Sequence, residues 1–433
     1  MSAPAWLLAL PVDGGPVLWG AYLLSAALFL YLLLRRPTRV WLVTAGSALA
    51  GGALAGLIAT FVVQDWLDLF NSPMALDVRG WIVVACASVA LALVNLWRSR
   101  WWRKAVAVLA IAVFAATAAH GVSATYGIVK NLGDLLDVPV EEPLDLSALA
   151  PHSTNPPGPL YASWHAPADM PDEGIEGSVR IPATASDFPA RDAIVYLPPA
   201  AQLPDAPALP VVVFLSGQPG APDVSDIGAS LDRFAAEHDG LAPIVVSVDQ
   251  LAGDGDNNPL CIDGYQGDAM TYVNVDVPAY ISQTFNVLSG PENWAISGFS
   301  NGGGCSIRFA AQYPGIWGNV IDISGELGPD LGSPEETIDV GFGGDADAYE
   351  AAQPLELLAQ GTFPDTMAIF ADGTDDEPYL TASRILSAAA ADAGMDAHLF
   401  ISPGTGHDAD TIQYGFDHAF PLLYPRWGLA APP

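Results

Sequence analysis

The chain has 433 residues, which is enough for two or three domains of ordinary size. Its formal net charge is −33 at pH 7, from 15 Lys and Arg against 48 Asp and Glu. A surface this acidic repels phosphate groups, so nucleic acid is not an expected partner.

The charge is distributed unevenly along the chain. Residues 1–130 carry nine Lys and Arg against four Asp and Glu, which leaves six basic and 44 acidic residues for 131–433. The first part is therefore slightly basic, and the second is strongly acidic.

Four long apolar runs lie before residue 130, at 16–34, 40–63, 81–97 and 105–126. Each comes close to the ~20 residues that a helix needs to cross the hydrocarbon layer of a bilayer. Four successive runs almost free of charge predict membrane spans rather than buried helices of a soluble protein. No Lys or Arg precedes the first run, which disfavours a cleaved signal peptide.

The short loops between these runs predict the orientation of the spans. The loop 64–79 has three acidic residues and one arginine, whereas the other two loops hold clusters of basic residues: Arg35, Arg36 and Arg39, then Arg98, Arg100, Arg103 and Lys104. The positive-inside bias places both basic loops in the cytoplasm. Both termini, and everything after the fourth span, are then expected on the extracytoplasmic side of the cell membrane.

The sequence predicts three parts. Residues 1–130 form a membrane domain with four spans, and residues 131–175 form a linker rich in Pro and acidic residues. Residues 176–433 form a folded domain in which short β-rich segments alternate with helical ones. Helices are expected at 226–240, 268–285, 302–314 and 378–394.

The predicted strands favour an α/β fold. The segments 177–184 and 191–199 resemble an antiparallel pair, and continuous apolar runs follow at 210–217, 241–249, 293–298, 318–325, 366–373 and 396–404. Such runs are typical of strands buried on both faces, and their alternation with helices predicts a mostly parallel sheet covered on both sides. In such sheets the functional residues gather at the carboxyl ends of the strands.

The stretch 298-GFSNG-302 has the pattern G-x-S-x-G between a predicted strand and a predicted helix. A serine on so sharp a turn has unfavourable backbone angles, and side chains on its neighbours would collide, so glycines flank it. The following helix directs its free N–H groups and positive dipole end at the same place. This context predicts that Ser300 is a nucleophile.

A serine nucleophile needs a base, and the base needs an orienting acid. In this fold class the two follow the serine in the order acid, then histidine. His407 lies in a glycine-rich loop after the last predicted strand, and Asp376 lies in 371-ADGTDDEP-378 after the strand before it. Asp375 and Glu377 remain alternatives for the acid, and Asp322 and Glu326 are weaker ones.

The negative charge that develops on a tetrahedral intermediate needs two preorganised donors. The backbone N–H of Asn301, the residue after the nucleophile, is expected to be one. The other is expected to be the backbone N–H of Gln218, which follows Gly217 in the loop 215–222 after the third strand. An ordinary turn is the alternative interpretation of this loop.

These residues together resemble a known family. From about 177 to 424 the chain is similar to the esterase branch of the α/β-hydrolases, which includes esterase D, the enterochelin esterases and the secreted mycolyltransferases of actinobacteria. The resemblance depends on 196-YLPP-199, 216-SGQPG-220, 298-GFSNGG-303, and the loops 373-GTDD-376 and 404-GTGH-407. It implies an α/β-hydrolase fold and a serine esterase or acyltransferase. Many members have methionine where this chain has Asn301.

The resemblance also implies a disulfide. The segment 261-CIDGYQGDAMTYVNVDVPAYI-281 is similar to membrane-anchored actinobacterial members, in which such a cysteine pairs with one that follows the serine motif. A Cys261–Cys305 bond is therefore expected. From the residues alone, two buried free thiols remain the alternative.

No cofactor is expected. The segment 254-DGDNNP-259 alternates carboxylates like the start of a calcium loop, but Pro259 stands where a glycine is needed. No Cys/His cluster indicates zinc, and no phosphate-binding loop motif is present. The expected partners are the lipid bilayer and a small-molecule or lipid ester.

Three functions are compatible with these features of the sequence. The leading one is a membrane-anchored serine esterase that acts on an ester of a lipid, sugar or envelope component. The second is an acyltransferase that passes the same acyl group to a sugar or lipid alcohol. The third is a non-catalytic scaffold domain on a membrane anchor.

Overall fold

The computed structural model describes residues 5–8, 10–12, 14–67, 74–126, 129–136, 140, 142–150, 152, 158–253 and 257–432. Chain contacts divide the protein into two compact units, Met1–Val140 and Glu141–Pro433. Residues 254–256 of the calcium-like segment lie outside the described residues, as do 68–73 and several positions of the expected linker.

Most of the described residues of the first unit are helical. Its four long helices are α2 (Gly15–Leu33), α3 (Arg39–Phe61), α4 (Leu76–Asn95) and α5 (Trp101–Tyr126), and its two short ones are α1 (Ala5–Leu8) and α6 (Leu132–Leu136). The long helices correspond to the four apolar runs, and all four are long and apolar enough to cross a membrane.

Small residues bring α3 and α4 together. A Cβ on Gly52 would stand 2.5 Å from the Cys86 carbonyl oxygen, and one on Gly56 would stand 2.8 Å from Val83 Cα. Such close backbone approach is typical of helices that pack within a bilayer. At one end of α5, Arg103 donates hydrogen bonds to Asn95 Oδ1 (2.8 Å) and to the Leu32 carbonyl (2.7 Å), which joins three helices.

The described strands of the second unit are β1 (Ile175–Val179), β2 (Ala193–Leu197), β3 (Val211–Leu215), β4 (Ile244–Val248), β7 (Trp294–Phe299), β8 (Asn319–Ile323), β9 (Met367–Gly373) and β10 (Asp396–Ser402), with β5 (Asp263–Gly264) and β6 (Gly267–Asp268) in a separate hairpin. The first eight form one sheet in the order β1-β2-β4-β3-β7-β8-β9-β10. In this sheet the pairs β1–β2 and β2–β4 are antiparallel, and all the other pairs are parallel.

The described α-helices of this unit are α7 (Leu160–Ser163), α8 (Ser225–Glu237), α9 (Ala269–Thr271), α10 (Val277–Thr284), α11 (Asn301–Gln312), α12 (Pro334–Glu336), α13 (Ala346–Ala351), α14 (Pro354–Gln360), α15 (Tyr379–Asp392) and α16 (Ala409–Arg426). Helices pack on both faces of the sheet, among them α11, α15 and α16. Every residue of β2, β3, β4, β8 and β9 is buried, as expected for strands with helices on both faces. The α/β-hydrolase arrangement expected from the sequence is confirmed.

The structure differs from the sequence prediction in several places, one of which is the C-terminal helix α16, which was not predicted. Strand β1 ends at Val179 rather than 184, and Pro182, which has no backbone N–H, lies just beyond it. The helix expected at 268–285 is interrupted by a π-helical turn, Tyr272–Asp276. The insert 326–365 contains α12, α13 and α14, which were not predicted.

Part of the expected linker packs on the second unit. The Leu144 N–H donates to the Ser178 carbonyl (3.0 Å), and the Ser178 N–H donates to the Glu142 carbonyl (3.0 Å). The side chain of Leu160 is buried in the core of this unit. These residues therefore extend the folded domain toward its N-terminus.

Candidate active site

Ser300 lies on the sharp turn that joins β7 to α11. Its backbone angles, φ 57° and ψ −120°, are rare for a residue with a side chain. Two hydrogen bonds hold it there, because its N–H donates to the Ile323 carbonyl (2.9 Å) and its carbonyl accepts from the Gly304 N–H (3.1 Å). Strained backbone held in this way is concentrated at functional sites.

Glycines make this turn possible by allowing backbone segments to touch. A Cβ on Gly298 would overlap the backbone of Gly302, and a Cβ on Gly302 would overlap the Leu215 carbonyl at the end of β3. The crowding predicted from the sequence motif is therefore present in the structure.

His407 and Asp376 form a hydrogen-bonded pair on neighbouring loops. Asp376 follows β9 and His407 follows β10, and His407 Nδ1 lies 2.9 Å from Asp376 Oδ2. The Asp376 side chain is 2% exposed and that of His407 is 21% exposed. A buried carboxylate on Nδ1 leaves Nε2 as the atom of the imidazole that can accept a proton.

The two alternative acids have other partners. Asp375 is exposed, and its Oδ1 accepts from Thr374 Oγ1 (3.3 Å). Glu377 is also exposed, and its Oε2 accepts from Thr381 Oγ1 (2.7 Å). Of the three candidates, Asp376 is the one whose carboxylate contacts the imidazole.

Two aromatic rings flank the imidazole of His407. The ring centroid of Tyr379 lies 4.2 Å from that of His407 in a stacked arrangement, and the centroid of Phe299 lies 4.4 Å away. Phe299 immediately precedes Ser300, so this contact brings the histidine next to the serine turn. No hydrogen bond joins Ser300 Oγ to His407 among the described residues, and such bonds are often longer in the free enzyme. Neither ring was predicted from the sequence.

The expected oxyanion donors lie on two segments that approach each other. Asn301 begins α11, where the first N–H groups of a helix have no partner within the helix. Gln218 follows Gly217, whose added Cβ would stand 3.3 Å from Ser300 Cβ. The loop after β3 therefore passes close to the serine.

Three further carboxyl groups lie buried or half-buried near these loops. Burial raises the pKa of Asp322 to about 7, and neither carboxylate oxygen has a hydrogen-bond partner within the described residues. Burial, followed by the charge of Asp330, raises the pKa of Glu326 to about 8. Burial, followed by the charge of Asp376, also raises the pKa of Asp372. Both weaker candidates for the triad acid are therefore groups that hold a proton more tightly than usual.

Cys261 and Cys305 form a disulfide, with their Cα atoms 5.9 Å apart. One turn further along α11, the buried guanidinium of Arg308 donates to the carbonyls of Leu260 (3.2 Å) and Cys261 (2.9 Å). The bond and the guanidinium together hold the segment around Cys261 against the helix that begins at the serine turn. The described residues contain no group of three or more His, Cys, Asp or Glu arranged to hold a metal ion.

Comparison with known proteins gives consistent matches. The family model described as "Putative esterase" matches residues 190–414, slightly more than half of the chain. An uncharacterized protein of Corynebacterium glutamicum is 31% identical over 371 residues, which cover 82% of this chain and 84% of that protein. Because Glu141–Pro433 makes up roughly two thirds of the chain, the second likeness extends into the helical unit.

Solved structures show more distant likenesses. A ferulic acid esterase is 16% identical with a TM-score of 0.48, covering 61% of this chain and 100% of its own. The S-formylglutathione hydrolase of Agrobacterium tumefaciens is 20% identical with a TM-score of 0.48, covering 60% of this chain and 98% of its own.

Proposed function

The chain belongs to the esterase family of α/β-hydrolases and is an ester hydrolase, and from this premise we propose that it acts through Ser300, His407 and Asp376. The observation that carries the proposal is the combination of a strained serine turn after β7 with a hydrogen-bonded acid–imidazole pair on the loops after β9 and β10. The contact between Phe299 and the imidazole brings the two halves of this arrangement together.

In the proposed mechanism, Nε2 of His407 accepts the Ser300 Oγ proton while Oγ attacks the carbonyl carbon of the ester. Asp376 accepts the Nδ1–H hydrogen bond, which holds the productive tautomer and stabilises the imidazolium. The N–H groups of Gln218 and Asn301 stabilise the oxyanion of the tetrahedral intermediate.

The intermediate collapses when the imidazolium donates its proton to the leaving alcohol. This step breaks the ester C–O bond and leaves an acyl group on Ser300. Water, deprotonated by His407, then attacks the acyl-enzyme and releases the carboxylic acid and the free serine.

We also propose that the enzyme is anchored in the membrane with its hydrolase unit on the extracytoplasmic side. The four apolar helices support the anchoring, and the basic loops after α2 and α4 support the orientation. The Cys261–Cys305 bond agrees with an oxidising compartment. The substrate is then an ester of a lipid, sugar or envelope component that is reachable from the membrane surface.

Labelling of the intact protein in detergent with a fluorophosphonate probe tests the nucleophile. We expect labelling of the wild type and none of Ser300→Ala. The matched control is Ser387→Ala, which removes a half-buried hydroxyl on α15 that donates to the Arg384 carbonyl, and which should leave labelling unchanged.

Two results would favour a different function. A folded wild type that does not react with the probe would favour the scaffold interpretation. A labelled enzyme that forms a new ester when an alcohol acceptor is added would favour acyl transfer, and free acid as the main product would favour hydrolysis.

A further inference from the structure

Gln250 is a fully buried glutamine close to the end of β4, and it has no part in the mechanism described above. Its Nε2 donates a 2.5 Å hydrogen bond to the Ser216 carbonyl in the loop after β3. Its Oε1 is buried and accepts no hydrogen bond within the described residues. A buried acceptor without a partner costs stability, so core packing alone does not explain a glutamine here.

The Ser216 carbonyl lies two residues before the Gln218 N–H. Between them is Gly217, on which an added Cβ would stand 3.3 Å from Ser300 Cβ. The hydrogen bond that holds the Ser216 carbonyl therefore also holds the backbone of this loop in place beside Ser300. The loop's N–H groups have to be held before the reaction begins, because a donor that must reorient loses much of its effect.

The same carboxamide of Gln250 also contacts Asn301, whose backbone N–H is the other proposed donor to the oxyanion. Its Nε2 lies 3.5 Å from Oδ1 of Asn301, whose side chain is 3% exposed. Asn301 Nδ2 in turn contacts Asn258 Oδ1 at 3.3 Å and Glu326 Oε2 at 3.5 Å. One buried side chain thus contacts both segments proposed to hold the oxyanion, by a short bond to the first and a longer contact to the second.

We propose that Gln250 is a positioning residue that sets the spacing between the Gln218 and Asn301 N–H groups. This inference rests on the proposed function. Gln250 does not touch the substrate, and it acts by holding the Ser216 carbonyl and the Asn301 side chain at a fixed separation. Removal of the Gln250 carboxamide should therefore weaken the stabilisation of the tetrahedral intermediate more than it weakens the binding of the ester.

The test compares wild type with Gln250→Met, which keeps the length of the side chain and removes its hydrogen bonds. With p-nitrophenyl acetate we expect kcat to fall about 10- to 100-fold, as for a misplaced oxyanion donor, with KM changed less than about threefold. The melting temperature should stay within about 3 °C of the wild type. The control is Gln360→Leu, which removes an exposed carboxamide on α14 and should change none of these values.

A second readout separates positioning from general damage to the fold. An alkyl trifluoromethyl ketone adds to the serine as a hemiketal, whose oxygen occupies the place of the oxyanion. Its Ki should rise by the same factor by which kcat/KM falls, while the Ki of acetate, a planar product, stays constant. A purely structural role would weaken both inhibitors together and lower the melting temperature.

The outcomes are distinguishable from failure of the proposed function. If the wild type neither reacts with the fluorophosphonate nor hydrolyses the ester, the proposed function itself is overturned. If the wild type is active and a folded Gln250→Met has unchanged kcat and ketone Ki, only the role of Gln250 is overturned. Gln250→Glu, which keeps size and polarity but removes both N–H donors, repeats the test if Gln250→Met does not fold. Failure of both variants to fold would make Gln250 structural and overturn the inference.

Discussion

Arg191 forms a bidentate ion pair with Asp249, whose carboxylate is fully buried just beyond β4. Arg191 Nε donates to Oδ2 (3.0 Å) and Nη2 donates to Oδ1 (2.8 Å). Nη2 also donates to the Gly220 carbonyl (2.8 Å) in the loop after β3. Since Gln250 holds the same loop at Ser216, two consecutive residues after β4 anchor it at two points, Asp249 through Arg191 and Gln250 directly.

Replacement of Arg191 by leucine should destabilise the protein strongly, because it leaves the Asp249 charge buried without its partner. We expect a loss of about 3–5 kcal/mol in the free energy of unfolding, measured by urea titration of the detergent-solubilised chain with tryptophan fluorescence. Arg180→Leu is the matched control, because the Arg180–Asp192 pair is exposed and should contribute less than about 1 kcal/mol. Equal losses from the two changes would contradict this prediction.

The identity of the triad acid can be decided by three isosteric changes. Asp376→Asn should lower kcat by about a thousandfold or more, because an amide at this position favours the wrong imidazole tautomer. Asp375→Asn and Glu377→Gln should stay within about threefold of the wild type, since both carboxylates are exposed and have other partners. Steady-state hydrolysis of p-nitrophenyl acetate gives the three values. A large loss in either of the last two variants would transfer the role away from Asp376.

The buried carboxyl of Asp322 should make stability depend on pH. Its pKa is raised from 3.8 to about 7 in the folded protein. At a pH below about 4 both states hold the proton. Between pH 4 and 7 only the unfolded state releases it, so the free energy of unfolding falls as pH rises and levels off above 7.

In the variant Asp322→Asn the side chain at this position does not titrate, so the free energy of unfolding of this variant should not show the fall that Asp322 causes between pH 4 and 7. The variant should gain on the order of 2–4 kcal/mol relative to wild type between pH 4 and pH 8. Urea titrations of both proteins at the two pH values give the difference, in which the contributions of other groups cancel. Parallel pH profiles would show that Asp322 is ionised in the folded protein.

The disulfide should contribute measurably to stability, because it closes a loop over 44 residues of sequence separation. The double variant Cys261→Ala/Cys305→Ala should lose about 3–4 kcal/mol of unfolding free energy in a chain-entropy estimate. Wild type treated with dithiothreitol should unfold at the same urea concentration as this variant. Cys86→Ala, at the free cysteine of α4, is the control: it should keep the stability of the wild type and lose the same amount on reduction. No change on reduction of the wild type would contradict this prediction.

The sheet could be predicted from the sequence because its central strands are buried on both faces. Continuous apolar runs such as that of β3 have few other interpretations between turn signals. The helices of the insert 326–365 could not be predicted, because α12, α13 and α14 have three to seven residues and too few turns to show a periodic pattern. The π-helical turn Tyr272–Asp276 was missed because a periodic reading assumes a uniform helix.

The sequence predicted those residues of the candidate site that can be recognised from their immediate neighbours in the chain. The turn at Ser300 requires small neighbours, and a histidine and an acid that follow strands are recognisable by position. The stacking of Tyr379 on His407 and the bond from Gln250 to the Ser216 carbonyl depend on tertiary contact instead. A buried glutamine after a strand has no local pattern that distinguishes it from an exposed one.

The position of each strand in the sheet affects how the enzyme would lose activity. Strand β7, which precedes Ser300, is bonded to β3 and β8, whereas β10, which precedes His407, lies at the edge and is bonded to β9. Edge elements open by local unfolding at a lower free energy than central ones. On warming, β10 and the loop that carries His407 should therefore unfold locally before β7 and the turn that carries Ser300. Catalysis should then end while most of the domain is still folded. Amide hydrogen exchange would then be faster around His407 than around Ser300. Loss of activity and global unfolding would be separate events.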